Sequence, residues 1–265
     1  MTILAEASQP TRRAKWLAAL GFRPKQHARV PEATRVYAVG DIHGCDAALG
    51  GLHARIEADA VSFSGRKVIV YLGDYVDRGP NSRGVIDRLI GCVPEGFSAH
   101  YVKGNHDQAL LDFLADAQTY RAWRAFGAPE TLLSYGVRPP LFDSSEKFEE
   151  ARQALQGAMP LAHLEFLRSL RPSVVLGDYA FVHAGIRPGM SIEDQSEQDL
   201  LWIREDFLNC TAAHEKVIVH GHTPLARPLS LHNRIAVDTG AYATGVLSCV
   251  VLEGEGRRFI QADRG

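Results

Sequence analysis

The 265-residue chain is sparing with cysteine: Cys45, Cys92, Cys210 and Cys249 are far apart and form no C-x-x-C pair. That spacing excludes a disulfide framework and a thiolate zinc site, and suits reduced thiols in a reducing, cytoplasmic setting. No apolar run approaches the roughly 18 residues a membrane helix needs, so no transmembrane segment is expected. There is no internal repeat and no low-complexity tract, which excludes solenoid and linker-dominated architectures. The net charge is only −2, too small for a general nucleic-acid binder.

What remains is ordinary globular composition, with 46% hydrophobic and 23% charged residues on a chain long enough for a sizeable core. Charge is uneven. Residues 1–33 hold six basic residues against Glu6 and Glu32, a net +4, so the rest of the chain carries −6. Within this stretch, TRRAKWLAAL (11–20) resembles a twin-arginine export signal, but its apolar part is short and lacks a clear cleavage site. Residues 1–33 are therefore read as a flexible basic leader and 34–265 as a single domain.

Short β-branched and aromatic runs recur, each ending in a polar motif. RVYAVGD ends at Asp41, KVIVYLGD at Asp74, AHYVKGN at Asn105 and YAFVHAG near His183. KVIVHGH reaches His222 and RIAVDTG reaches Asp238, while 246–254 and 257–263 read as a hairpin around EGEG. Helical periodicity fills 45–58 and 81–91. Alternating strand and helix predicts α/β architecture, in which ligand sites collect at strand carboxyl ends. Residues 108–172 are mostly helical in pattern, broken by VRPPLFDSS, and read as a helical insertion beside the site.

GDIHG (40–44), GDYVDRG (73–79), GNHD (104–107), His183 and GHTP (221–224) carry the chemistry. Singly, each is an ordinary turn former or a satisfied polar group. Jointly they offer carboxylates, an amide and imidazoles without thiolate, the donor set for borderline divalent metals. The count exceeds the four ligands of a single zinc and points to two ions.

In order, spacing and wording these elements resemble the phosphoprotein phosphatase family of metallophosphoesterases, bacterial type, from residue 35 to about 252. The resemblance implies a four-layer β-sandwich of two mixed sheets flanked by helices. It implies Asp41 and His43 on one metal, Asp74 bridging, and Asn105, His183 and His222 on the second. Manganese is the first expectation for both ions, with iron, zinc or cobalt admissible. Arg78 and Arg204 would grip phosphate, and His106, oriented by Asp77, would protonate the leaving oxygen. His220 is read as structural, and His163, His214 and His232 as surface or cap residues.

The expected reaction is hydrolysis of phosphoserine or phosphothreonine in a phosphoprotein or phosphopeptide, by direct attack of a hydroxide held between the metals. Symmetrical diadenosine tetraphosphate hydrolysis stands as the alternative, since fold and metal site do not separate substrates. GNHD and the RGP after GDYVD lean that way. An inactive metal-binding adaptor is the third reading, countered by the complete residue set. The oligomeric state is not readable from the sequence.

Overall fold

The computed structural model describes residues 27–263. Ten strands form two five-stranded sheets. The first runs β10 (Gly256–Asp263), β9 (Val246–Glu253), β1 (Thr34–Val39), β2 (Arg66–Tyr71), β3 (Phe97–Tyr101). The second runs β4 (Ser173–Leu176), β5 (Tyr179–Val182), β6 (Val217–His220), β8 (Arg234–Ala236), β7 (Leu229–Ser230). Both are mixed: β1, β2 and β3 pair in parallel while β9 and β10 pair antiparallel, and β5, β6 and β8 are parallel between antiparallel edges.

The strand period of two distributes side chains to both faces of each sheet. In β1, Val36 and Ala38 join Val68, Val70, Phe181, Val219 and Ile235 in the core between the sheets. Tyr37 and Val39 face the other way, against helices α1 (Asp46–Ala60) and α2 (Ser82–Gly91). Ala180, Val182 and Ile218 pack outward against Ile192, Leu200, Ile203 and Phe207. The result is helix, sheet, sheet, helix, with strands buried on both faces as their continuous apolar runs require.

The insertion is helical: α3 (Asn105–Ala115), α4 (Tyr120–Trp123), α5 (Ala128–Ser134), α6 (Ser145–Ala158) and α7 (Leu161–Ser169). Its Phe113, Trp123, Leu132, Phe148 and Leu155 belong to the same core as Tyr37 and Tyr71. It is therefore part of the main body and no separate cap.

Residues 1–26, including the arginine pair at 12 and 13, lie outside the described residues. Residues 27–33, expected to be flexible leader, are docked. Ala28 and Val30 are buried against the inter-sheet core, Val30 N–H donates to Gly254 O, Arg29 N–H donates to Asp178 Oδ2, and Arg29 O accepts the Asp178 N–H. The alternating ARV pattern buries its two apolar residues and leaves Arg29 exposed between them.

Candidate active site

Five strands end at one place. Loops after β1 and β2 bring Asp41, His43, Asp74, Asp77 and Arg78; β3 leads into Asn105 and His106 at the start of α3; β5 and β6 deliver His183 and His222. His43, Asp74, Asp77, Arg78 and His222 have φ between 45° and 72°. Among the described non-glycine residues only Ala33 shares that left-handed conformation. Each such residue costs of order 1–3 kcal/mol and persists where its surroundings impose it. Two glycines make room for the site's carboxylates. A Cβ on Gly104 would lie 2.1 Å from Asp74 Oδ1, and one on Gly221 would lie 1.9 Å from Asp41 Oδ1.

Backbone carbonyls orient the imidazoles. His43 Nδ1 donates to Val76 O at 2.8 Å and His183 Nδ1 to Leu72 O at 2.9 Å. Each ring therefore turns an unprotonated Nε2 inward. His43 Nε2 lies 3.4 Å from Asp74 Oδ2. His183 Nε2 lies 3.4 Å from the same oxygen and 2.9 Å from Asn105 Oδ1. His222 Nδ1 is 3.1 Å from His183 Nε2 and 2.9 Å from Asn105 Oδ1, while its Nε2 is buried without a partner. Burial keeps these rings neutral: His43 is pushed down to about 3, His222 to about 2, and His183 is lowered too. The Nε2 lone pairs of His43 and His183 thus face the oxygens of Asp74 and Asn105, an arrangement that a cation relieves.

Two groups of three residues could hold an ion, His43–Asp74–His106 and Asp74–His183–His222, and Asp74 is common to both. Asp41 belongs to neither group. Its carboxylate accepts the His222 N–H at 3.0 and 3.2 Å and hydrogen-bonds Asp238. Burial, then the charges of Asp238 and Asp74, raises the Asp41 carboxyl well above its ordinary range.

His106 Nδ1 and Asp77 Oδ2 are 2.8 Å apart in a fully buried pair. Burial pushes His106 down, but Asp74 and Asp77 outweigh it, so the imidazole titrates above its ordinary value. Arg78 Nη2 ends 3.2 Å from His106 Nε2, and its guanidinium lies 4.6 Å over the Tyr242 ring. Arg204 sits at the periphery, exposed, with Nη1 donating to Thr223 Oγ1 at 3.2 Å.

Two contributors had no motif to announce them. Trp123 Nε1 and Thr131 Oγ1 donate to Asp77 at 2.8 and 2.7 Å from the insertion. Asp107 accepts the backbone N–H groups of Gly104, Asp74 and Tyr75, which pins the β2 and β3 loops together. Asp238 was visible as a strand-end aspartate, the pattern shared by Asp41 and Asp74. His163 and His214, expected at the surface or on a cap, are buried, whereas His232 is exposed. His163 falls on the apolar stripe with Phe166 and Leu167 and bonds Tyr135 and Asp87.

Comparison with known proteins agrees with this geometry. A relative from Anoxybacillus flavithermus, named bis(5'-nucleosyl)-tetraphosphatase PrpE [asymmetrical], is 27% identical, covering 80% of this chain and 88% of its own. A Geobacillus sp. protein of the same name is 28% identical over 79% of this chain and 87% of its own. In fold, the chain is similar to the structure described as "a putative diadenosine tetraphosphatase" (TM-score 0.60, 23% identity, 90% of this chain, 100% of that one). It is also similar to a cold-active protein tyrosine phosphatase mutant (TM-score 0.57, 18% identity, 97% and 83%). Residues 34–245, which hold both sheets' central strands and every one of the clustered side chains above, match the calcineurin-like phosphoesterase family, and the chain belongs to it.

Proposed function

We propose that this metallophosphoesterase hydrolyses bis(5'-nucleosyl) tetraphosphates. The supporting observation is that eight curated relatives, each 25–28% identical over 79–80% of this chain, carry that activity in their name. Their name specifies asymmetrical cleavage, where the sequence alone had raised only the symmetrical reaction as an alternative.

The family uses a dinuclear metal centre, and the convergent lone pairs described above fit one. Asp41, His43 and Asp74 would hold one ion, and Asp74, Asn105, His183 and His222 the other, with manganese proposed for both. When bound, the two cations supply positive charge for the phosphoryl oxygens and activate the attacking water. Arg78 binds a phosphoryl oxygen through its planar guanidinium, held in place by Tyr242, and Arg204 closes on the phosphate from the rim. As water adds to phosphorus and the bond to the leaving oxygen breaks, His106 gives that oxygen the proton on Nε2. Asp77 stabilises the imidazolium beforehand.

One observation favours a second reading, hydrolysis of phosphoserine and phosphothreonine in proteins. A raised, carboxylate-backed His106 matters most for a poor leaving group such as an alkoxide, and least for a nucleotide phosphate that departs readily as an anion.

The experiment is product analysis with manganese-loaded protein, given diadenosine tetraphosphate and phosphoserine/phosphothreonine peptides side by side, with metal-free protein and Asp74→Asn as controls. ATP with AMP marks asymmetrical cleavage, and ADP alone marks symmetrical cleavage. Phosphate from peptides with no nucleotide product would overturn the proposal in favour of the second reading. Activity unaffected by metal removal would overturn the metal centre.

A further inference from the structure

A cavity of about 500 Å³ opens directly beside the site, between α3, residues 119–126 and α8 (Glu197–Trp202), a helix that packs on the second sheet. That volume lies within the ordinary range for small-molecule pockets. Asn105, whose Oδ1 touches both His183 and His222, lines its inner end. The wall is aromatic. Phe126 and Trp202 stand 5.7 Å apart, ring centre to ring centre, tilted by 50°. Phe126 also meets the His106 ring at 5.6 Å, and Trp202 meets the His222 ring at 6.2 Å. Neither ring is fully buried, so part of each apolar surface faces the opening.

The opposite wall is polar and built. On α3, Asn105, Gln108 and Asp112 share one face at helical spacing. Gln108 Nε2 donates to Asp112 Oδ1 at 2.8 Å. Lys103 Nζ donates to Gln108 Oε1 at 2.9 Å and to Glu197 Oε1 at 2.8 Å, tying α3 to α8. Gln108 and Asp112 thus present oriented amide and carboxylate groups opposite two aromatic rings.

We infer that this cavity is the subsite for a nucleobase of the substrate, with the base against Phe126 and Trp202 and its polar edge read by Gln108 and Asp112. The inference rests on the nucleotide reading above. A nucleobase uses both walls, because it has a flat π-face and a rim of donors and acceptors. A phosphotyrosyl ring would use only the aromatic wall and leave the carboxylate and amide unused. A serine or threonine side chain would use neither. Cavity position agrees, since its inner end meets the atoms that face the phosphate site.

The test is equilibrium binding to manganese-loaded full-length protein, by calorimetry, of AMP, ribose 5-phosphate and O-phosphotyrosine. The first two present the same phosphate and sugar and differ only in the base. AMP is expected to bind about tenfold to a hundredfold more tightly than ribose 5-phosphate, the range for a base stacked on aromatic side chains. Phe126→Ala and Trp202→Ala should each reduce that ratio by about tenfold or more, with Phe126→Tyr restoring it. Asp112→Asn, an exposed change that leaves the rings in place, should reduce it by less but measurably.

Equal binding of AMP and ribose 5-phosphate overturns the subsite, as does a ratio unmoved by both ring substitutions. Phosphotyrosine binding as tightly as AMP through the same rings overturns the nucleobase as occupant. These outcomes are independent of the tetraphosphate assay. Diadenosine tetraphosphate hydrolysis with an unchanged ratio sinks only the subsite, whereas base-dependent binding without hydrolysis sinks only the proposed reaction.

Discussion

At the scale of single residues, the Asp77–His106 pair sets the pH behaviour. His106 titrates above its ordinary value of 6.5 because Asp74 and Asp77 outweigh burial. The proposed role needs the protonated ring, which Asp77 favours through its hydrogen bond and charge, so kcat/KM falls as pH climbs through the titration of His106. Asp77→Asn removes one of the two carboxylates, so the alkaline limb should move to lower pH. The loss should be about a hundredfold on a phosphoserine peptide and below about tenfold on p-nitrophenyl phosphate, whose leaving group needs little protonation. Equal losses on both substrates, with an unmoved limb, would contradict the acid role. Gly221 offers a steric test. Its missing side chain leaves room for Asp41 Oδ1, and a Cβ there would sit 1.9 Å away. Gly221→Ala should destabilise by about 1–3 kcal/mol in denaturant unfolding and lower the bound metal measured by elemental analysis.

At the scale of elements, the insertion acts as a buttress. Thr131, on α5, donates to Asp77 Oδ1 and accepts the Asp77 N–H at 2.8 Å, although 54 residues separate them. Gly127 O accepts the Arg78 N–H. Thr131→Val keeps the shape but leaves a buried carboxylate oxygen and an amide short of partners, a loss of about 1–3 kcal/mol. The unfolding midpoint should fall and Thr131→Ser should restore it. No change in either stability or kcat would mean that the insertion is decoupled from the strand ends. The same segment also lines the aromatic cavity, through α3, α4 and the 124–126 turn. Its support of Asp77 was invisible in the sequence: a tryptophan and a threonine in an amphipathic helix read as core.

At the scale of the whole molecule, two consequences follow from burying so many imidazoles. His53 and His214 are pushed down to about 4 and His220 to about 3, with burial the largest cause in each. These rings are neutral when folded and charge more readily when unfolded. Their contribution is complete above pH 6.5, the ordinary value, and is lost as pH falls from there toward 4 and 3. Thermal unfolding scanned from pH 7.5 to 4.5 should therefore show a midpoint that declines below about pH 6.5. The second consequence is linkage to metal. An ion present at a hundred times its Kd stabilises by about 2.7 kcal/mol, and in a domain of this size that raises Tm by about 5–10 °C. A chelator should reverse the rise. A Tm insensitive to both manganese and chelator would argue against a buried metal centre. No helix among the described residues is long and apolar enough to cross a membrane.

The sequence by itself determined the alternating α/β character and the strand-end positions that meet in the site, while the two-sheet sandwich was implied by resemblance. Both are local: short, continuous β-branched and aromatic runs set the strands, and short glycine-containing motifs set the loops that follow. Asp74, His43, His183, His222, Asn105, His106, Asp77 and Arg78 all sit in such motifs. Only the tertiary structure decided what surrounds them. It set Asp41 against Asp238 and the His222 backbone, and joined His163 to Tyr135 and Asp87. It also brought Tyr242 under Arg78 and set Phe126 against His106 and Trp202 against His222. Those contacts join residues dozens of positions apart, and their chemistry comes from burial and mutual orientation, which no local pattern of residue types encodes.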